Sequence, residues 1–278
     1  MNTIPGCRTP FIELLRPGVS AQKARVCLFD FDGTLSLIRS GWTDVMIPMM
    51  IEILLDLKTR ESEKAIRLVV EEFVWRLTGN QTIYQMIELA HQVKMRGGSP
   101  LDPVAYKRMY LDRLHRKIHS RLEALRAGKE PPDKYLVPGV RALLEALQER
   151  GLIMCLASGT DQELMRDEAR LLNVTRYFDG GLYGALDDYE SFSKRILIQR
   201  LIDSAVARGA EFIGFGDGYV EIESVKEVGG IAVGVATAEP ECLAVDEWKR
   251  ARLASAGADA VIPNYLGRED LLQVLFAQ

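Results

Sequence analysis

The feature that most constrains this chain is a set of short apolar runs, each ending in small or acidic residues. They are "ARVCLFDFDG" (24–33), "GLIMCLASGT" (151–160), "AEFIGFGDG" (210–218), "GGIAVGVAT" (229–237) and "ADAVIPN" (258–264). Runs this short and this continuous suit strands covered on both faces. Helical patterns such as "GVRALLEALQERG" and "DQELMRDEARLLN" separate the later ones. Strands alternating with helices make βαβ units and a parallel sheet. Right-handed crossovers then bring the carboxyl ends of the strands to one edge.

The alternation stops between Ser36 and about Lys134. Long stretches follow there with apolar residues recurring at three and four, among them "GWTDVMIPMMIEILLDL", "ESEKAIRLVVEEFVWRLTG", "TIYQMIELAHQVKMRGG" and "DPVAYKRMYLDRLHRKIHSRLEALRAG". This period predicts four or five helices with no strand between them. The expected organisation is an α/β core over 24–36 and 135–278, interrupted after its first strand by an all-α domain over 37–134. An N-terminal extension, 1–23, precedes it and has no derivable role. Linkers are expected near Ser36–Gly41 and at "GKEPPDKYLVPG", whose Pro and Gly residues break helices.

Composition narrows the function classes. With 278 residues, 47% of them hydrophobic, the chain can build a sizeable core. The balance of 39 acidic against 35 basic residues gives a net charge of -4, without the positive field of a general nucleic-acid binder. The most membrane-like run, "VMIPMMIEILLDL" (45–57), is broken by Pro48, Glu52 and Asp56, so a membrane partner is not expected. The leader has Pro and Glu where a signal peptide needs an apolar stretch, which leaves a cytoplasmic location as the expectation. Cys7, Cys27, Cys155 and Cys242 are far apart and form no Cys-x-x-Cys pair. Neither structural zinc nor a disulfide framework is expected of them.

Ligands of open α/β sheets bind outside the carboxyl ends of the strands, and this chain carries its charges there. Asp30 and Asp32 end the first run, Ser158 the second, and Asp217 the third, with Glu221 four residues on. Lys194 opens the helical pattern "SKRILIQ". Carboxylates gathered around one lysine are costly to bury without a cation. The cation such a set invites is Mg²⁺, which prefers oxygen ligands and is held by one or two carboxylates, waters and substrate phosphate.

The residues "DFDGTLS", "LASGT", Lys194 and "GDGYVE" together resemble, in order, the four motifs of the haloacid dehalogenase-like hydrolase superfamily. A helical insert between the first and second motifs is similar to the cap of the subgroup containing phosphoglycolate phosphatases and β-phosphoglucomutases. The resemblance implies a Rossmann-like core flanked by helices and a Mg²⁺-dependent phosphatase of a small phosphorylated metabolite. It implies Asp30 as the nucleophile, forming an aspartyl-phosphate, and Asp32 as the acid and base, a role worth about 10²–10⁴-fold. Extended backbone would turn both to one side. Gly33 permits a sharp exit, and Thr34 helps hold the loop and the phosphate.

Ser158, Gly159 and the amides at the start of the helix after "SGT" are expected to form the phosphate site, with Lys194 adding charge. Mg²⁺ would be held by Asp30, the backbone carbonyl of Asp32 and Asp217. Glu221 stands where the family more often has Asp, which leaves open whether it binds metal directly or through water.

Each motif alone has a plainer reading. Asp-x-Asp-Gly makes turns, Ser158 suits a helix cap, and a helical lysine is usually solvated; only their company points to chemistry. A phosphomutase would use the same Asp30 and Asp32, and a non-catalytic binding protein is the alternative of another class. A dehalogenase is disfavoured because halide loss needs no Asp32. Asp161 and Glu223 read as capping or surface residues. His115 and His119 are four apart on one helix but have no third ligand in view, and "VKMRGG" (93–98) reads as a solvated basic helix end.

Overall fold

The computed structural model describes residues 11–186, 193–203 and 209–276. The chain begins with β1 (Glu13–Leu14) and β2 (Val26–Phe29), then passes through α1 (Thr43–Leu55), α2 (Glu63–Leu77), α3 (Thr82–Met95) and α4 (Pro103–Arg126). It continues through α5 (Val140–Glu149), β3 (Ile153–Asp161), α6 (Gln162–Leu171), β4 (Leu182–Ala185) and α7 (Lys194–Asp203). The last elements are β5 (Phe212–Gly216), α8 (Tyr219–Glu227), β6 (Ile231–Val235), α9 (Glu247–Ser255), β7 (Ala260–Ile262) and α10 (Arg268–Phe276).

The seven strands form one sheet in the order β1-β7-β6-β5-β2-β3-β4, parallel except for β1, which pairs antiparallel with β7. The central strands β2, β5 and β6 are buried along their whole length, which is why they read as unbroken apolar runs. Phe29 of β2 stacks on Phe215 of β5 with ring centroids 4.6 Å apart, the offset contact aromatic pairs favour. Cys27 and Cys155 are free, buried members of this core. Cys7 lies outside the described residues.

Two short strands escape the apolar-run pattern. β4 follows Gly180 and Gly181 and has only four residues; β1 has two. Part of the expected N-terminal extension joins the sheet: Glu13 and Leu14 pair with Val261 and Ala260, and Glu13 is salt-bridged to Arg250 of α9. This stretch belongs to the sheet because it covers an otherwise open edge.

Gly41–Glu123 is a compact unit of its own, and the remainder of the described chain is the other. The helical unit thus begins four residues after the expected boundary at 36/37 and ends eleven before the one at 134/135. The latter differs because no helix breaker occurs before Gly128, so α4 runs through the boundary at 123/124. Within the helical unit α1 packs on α2 and α3. Ser62 caps α2 by accepting from the Ala65 N–H at 3.2 Å, and Lys117 and Arg113 of α4 reach Asp44 and Glu52 of α1 at 3.1 and 2.8 Å. On the sheet side the chain leaves and returns along a paired stem. The Leu37 N–H donates to the Tyr135 carbonyl and the Val137 N–H to the Leu35 carbonyl, both at 2.9 Å.

No helix among the described residues is long and apolar enough to cross a membrane.

Candidate active site

The site lies at the carboxyl ends of β2, β3 and β5. Asp30 follows β2 directly, and its N–H still donates to the Phe215 carbonyl of β5 at 2.9 Å. Phe31 is fully buried, so its charged neighbours alternate with it on the other side of the backbone. The chain then turns sharply: the Leu35 and Ser36 N–H groups both donate to the Phe31 carbonyl at 2.8 Å. Gly33 makes this possible with φ +74°, and a Cβ there would lie 2.3 Å from Asp217 Oδ2. Glycine is required here both for the left-handed backbone and for the approach of that carboxylate.

Thr34 ties the first and fourth motifs together. Its hydroxyl donates to Asp30 Oδ2 at 3.4 Å and accepts from the Asp217 N–H at 3.0 Å. Lys194, the first residue of α7, donates to Asp30 Oδ1 at 2.6 Å and to Glu221 Oε1. All three side chains are buried. Burial works against the Lys194 ammonium, but its two carboxylate partners more than offset that and hold its pKa above the usual lysine value. Burial pushes the Asp30 carboxyl up, and Lys194 opposes the shift.

Asp32 is held from β3. Thr160 donates to its Oδ2 at 2.8 Å and Ser158 to the same oxygen at 3.4 Å. Its Oδ1 is buried without a hydrogen bond and faces Arg39 Nε at 3.8 Å. Arg39 in turn makes a buried ion pair with Glu168 of α6, at 2.7 to 3.1 Å through Nε and Nη2. Burial raises the Glu168 pKa, against the pull of Arg39.

β3 runs through "LASGT" to Asp161, and α6 begins directly after it at Gln162, where the helical pattern from Asp161 predicts a helix. The Thr160 N–H donates to Ser158 Oγ at 3.0 Å, so that amide already has a partner. The β3–β4 pairing shifts register between Ala157 and Asp161, and Asp161 still pairs with Ala185 at the end of β4. Glu221 is taken up by Lys194, and its other oxygen, Oε2, is buried without a partner.

Asp161 sits at the start of α6 without a side-chain cap bond, and Glu223 is exposed. In "VKMRGG", Arg96 is engaged by Glu61 at 2.7 and 2.8 Å. The rings of His115 and His119 lie 5.7 Å apart in the helical unit.

Sequence reasoning missed Thr160, Arg39, Glu168 and Lys249. The last, on α9, donates to Asp217 Oδ2 at 2.9 Å and Glu239 Oε1 at 3.3 Å. Thr160 lies inside the quoted "LASGT". Arg39 carried a signal, a lone charge closing the apolar run "LSLIR", since a charge in such a run needs a partner.

Among the described residues no three His, Cys, Asp or Glu side chains converge as a ready-made cage. Mg²⁺ does not need one, because it keeps waters and takes one or two carboxylates. The oxygens of Asp30 and Asp217, linked through Thr34 and with Asp217 packed against the bare Cα of Gly33, fit that requirement.

The fold is thus an α/β protein with a mostly parallel sheet and a helical insert, with Asp30, Asp32 and the buried Lys194 at the carboxyl edge of the sheet. The model of the haloacid dehalogenase-like hydrolases matches residues 24–229, and the chain belongs to that family. Its fold is similar to that of a protein from Haemophilus somnus 129PT assigned by prediction as a phosphoglycolate phosphatase, with 15% identity, TM-score 0.58 and coverage of 90% of this chain and 99% of that one. A protein from Clostridium acetobutylicum assigned by prediction as a phosphatase gives 16%, 0.56, 90% and 99%. One from Thermotoga maritima assigned as a β-phosphoglucomutase gives 19%, 0.51, 89% and 99%. At these identities the likeness is one of fold. A comparison with curated proteins returns no match.

Proposed function

We propose that the chain is a cytoplasmic, Mg²⁺-dependent phosphatase of a small phosphorylated metabolite, working through an aspartyl-phosphate on Asp30. The observation that carries this reading is the Lys194 ammonium 2.6 Å from Asp30 Oδ1, in a chain whose second carboxylate, Asp32, is held by Thr160 from the neighbouring strand.

In this reading an Asp30 oxygen attacks phosphorus, and Asp32 gives its proton to the departing oxygen. Asp32 then takes a proton from the water that cleaves the acyl-phosphate, so each turnover returns it to its starting state. Lys194 offsets the charge of the phosphoryl oxygens and favours the ionised form of Asp30 against its burial. Ser158, Gly159, Gly33 and Thr34 complete the phosphate surroundings, with the N-terminus of α6 following the second motif at Gln162. Asp30, Asp217 and the Asp32 carbonyl would hold Mg²⁺, which neutralises phosphoryl charge when bound. Glu221 acts through Lys194, positioning its ammonium. The helical unit Gly41–Glu123 serves as the cap that excludes water and selects the substrate.

The test is inorganic phosphate release from a panel of phosphorylated metabolites, with and without Mg²⁺. Release that needs Mg²⁺ and is abolished by Asp30→Asn is the expected result. Transfer of the phosphoryl group to a second hydroxyl of the substrate, without free phosphate, would replace this reading by a mutase.

A further inference from the structure

Lys249 is not accounted for by the chemistry above. It lies in the first turn of α9, where Asp246 accepts from the Trp248 and Lys249 N–H groups at 2.9 and 3.0 Å. A cation is disfavoured at that end of a helix, because the aligned peptide dipoles already place positive charge there. The helix therefore gives no local reason for lysine.

The reason lies across the site. Lys249, Asp217 and Glu239 keep only 17%, 16% and 23% of their side-chain surface exposed. The ammonium is 2.9 Å from Asp217 and 3.3 Å from Glu239, so it has two acceptors of different consequence.

We infer that Lys249 is a displaceable counter-cation for Asp217, competing with the divalent ion for that carboxylate and passing to Glu239 when the ion binds. The inference rests on the reading of Asp217 as a metal-holding residue. Asp217 Oδ2 cannot serve a dication while an ammonium keeps a hydrogen bond to it, since two cations at such separations repel strongly in a partly desolvated site. Glu239 removes the cost of release, because the ammonium moves between acceptors without being left unpaired. Without metal, Lys249 keeps Asp217 from facing Asp30 as an unscreened like charge. The arrangement trades metal affinity for a site that is neutralised in both states.

The test is calorimetric titration of the full chain with Mg²⁺, comparing wild type with Lys249→Met, Glu239→Gln, the double variant and Asp217→Asn. Lys249→Met is expected to tighten Kd by about tenfold or more. Removal of a charge elsewhere on the surface, screened over a Debye length of about 8 Å, would move it much less. Glu239→Gln is expected to weaken binding, and to do so only while Lys249 is present, a coupling the double variant reads out.

If Asp217→Asn abolishes binding while Lys249→Met leaves it unchanged or weaker, the inference is overturned and the functional reading stands. Unchanged or tighter binding by Glu239→Gln overturns it as well, and decides the matter should Lys249→Met fail to fold. No Mg²⁺ binding by the wild type, or binding indifferent to Asp217→Asn, removes the inference together with the reading beneath it.

Discussion

Thr160 shows how much one hydroxyl can carry when the group it serves is an acid. Its Oγ1 donates to Asp32 Oδ2 at 2.8 Å, while Ser158 reaches the same oxygen only at 3.4 Å. The shorter bond is thus the one that fixes where the Asp32 carboxyl points. A hydrogen bond to a charged group contributes about 1.5–3 kcal/mol, so Thr160→Val should lower kcat by about 10–100-fold. Stability should change far less, because Val replaces Thr at nearly equal volume. Thr160→Ser should restore most of the rate, which a purely steric role for the residue would not allow; steady-state phosphate release with a thermal melt on each variant separates the two. Arg39 and Glu168 stand behind Asp32 on its other side. Their pairing escaped the sequence because 129 residues separate the partners, and no local pattern links a helix residue to a loop so distant in the chain.

At the level of elements, legibility followed burial. β2, β3, β5, β6 and β7 were readable because parallel strands with both faces covered must be apolar throughout. β1 and β4 were not, because neither is buried throughout: Glu13 of β1 and Leu182 and Tyr183 of β4 are half-buried, so no unbroken apolar run marks them. The start of α6 at Gln162 was readable from the pattern that begins at Asp161, while the register shift between Ala157 and Asp161 in the β3–β4 pairing has no local sequence mark. The opening of α5 illustrates a constraint of the opposite kind, visible only in three dimensions. Gly139 has φ +86°, and a Cβ there would lie 2.5 Å from the backbone C and O of Tyr265. Tyr265 is fully buried and donates from its hydroxyl to the Thr34 carbonyl at 3.1 Å. Gly139→Ala therefore has to displace backbone as well as adopt a left-handed conformation, at a cost of at least about 2 kcal/mol. The expected outcome is a Tm lower by at least about 4 °C together with a reduced rate, since the loop holding Asp30 and Thr34 leans on Tyr265. An unchanged melt would mean the α5 start relaxes freely and does not support that loop.

For the whole molecule, the division of labour between the units has a consequence that does not depend on knowing the substrate. Asp30, Asp32, Gly33, Thr34, Ser158, Gly159, Lys194, Asp217 and Glu221 all belong to the sheet-bearing unit, and none comes from Gly41–Glu123. A ligand that binds only the folded state stabilises by RT ln(1 + [L]/Kd), about 2.7 kcal/mol at a hundredfold excess over Kd. That free energy is felt only by openings that break the site. Amide exchange should therefore slow with Mg²⁺ in segments around β2, β3 and β5, whose openings disrupt Asp30 or Asp217, and remain unchanged across 41–123. Mass-spectrometric exchange on the intact chain, with and without saturating Mg²⁺, reads both units in one experiment. Equal protection across 41–123 would mean that the helical unit opens together with the sheet. The cap would then have to be regarded as part of one cooperative structure, and substrate selection sought in residues that order with the metal. Protection confined to the sheet-bearing unit leaves the helical unit free to respond to the substrate alone, as the cap role requires.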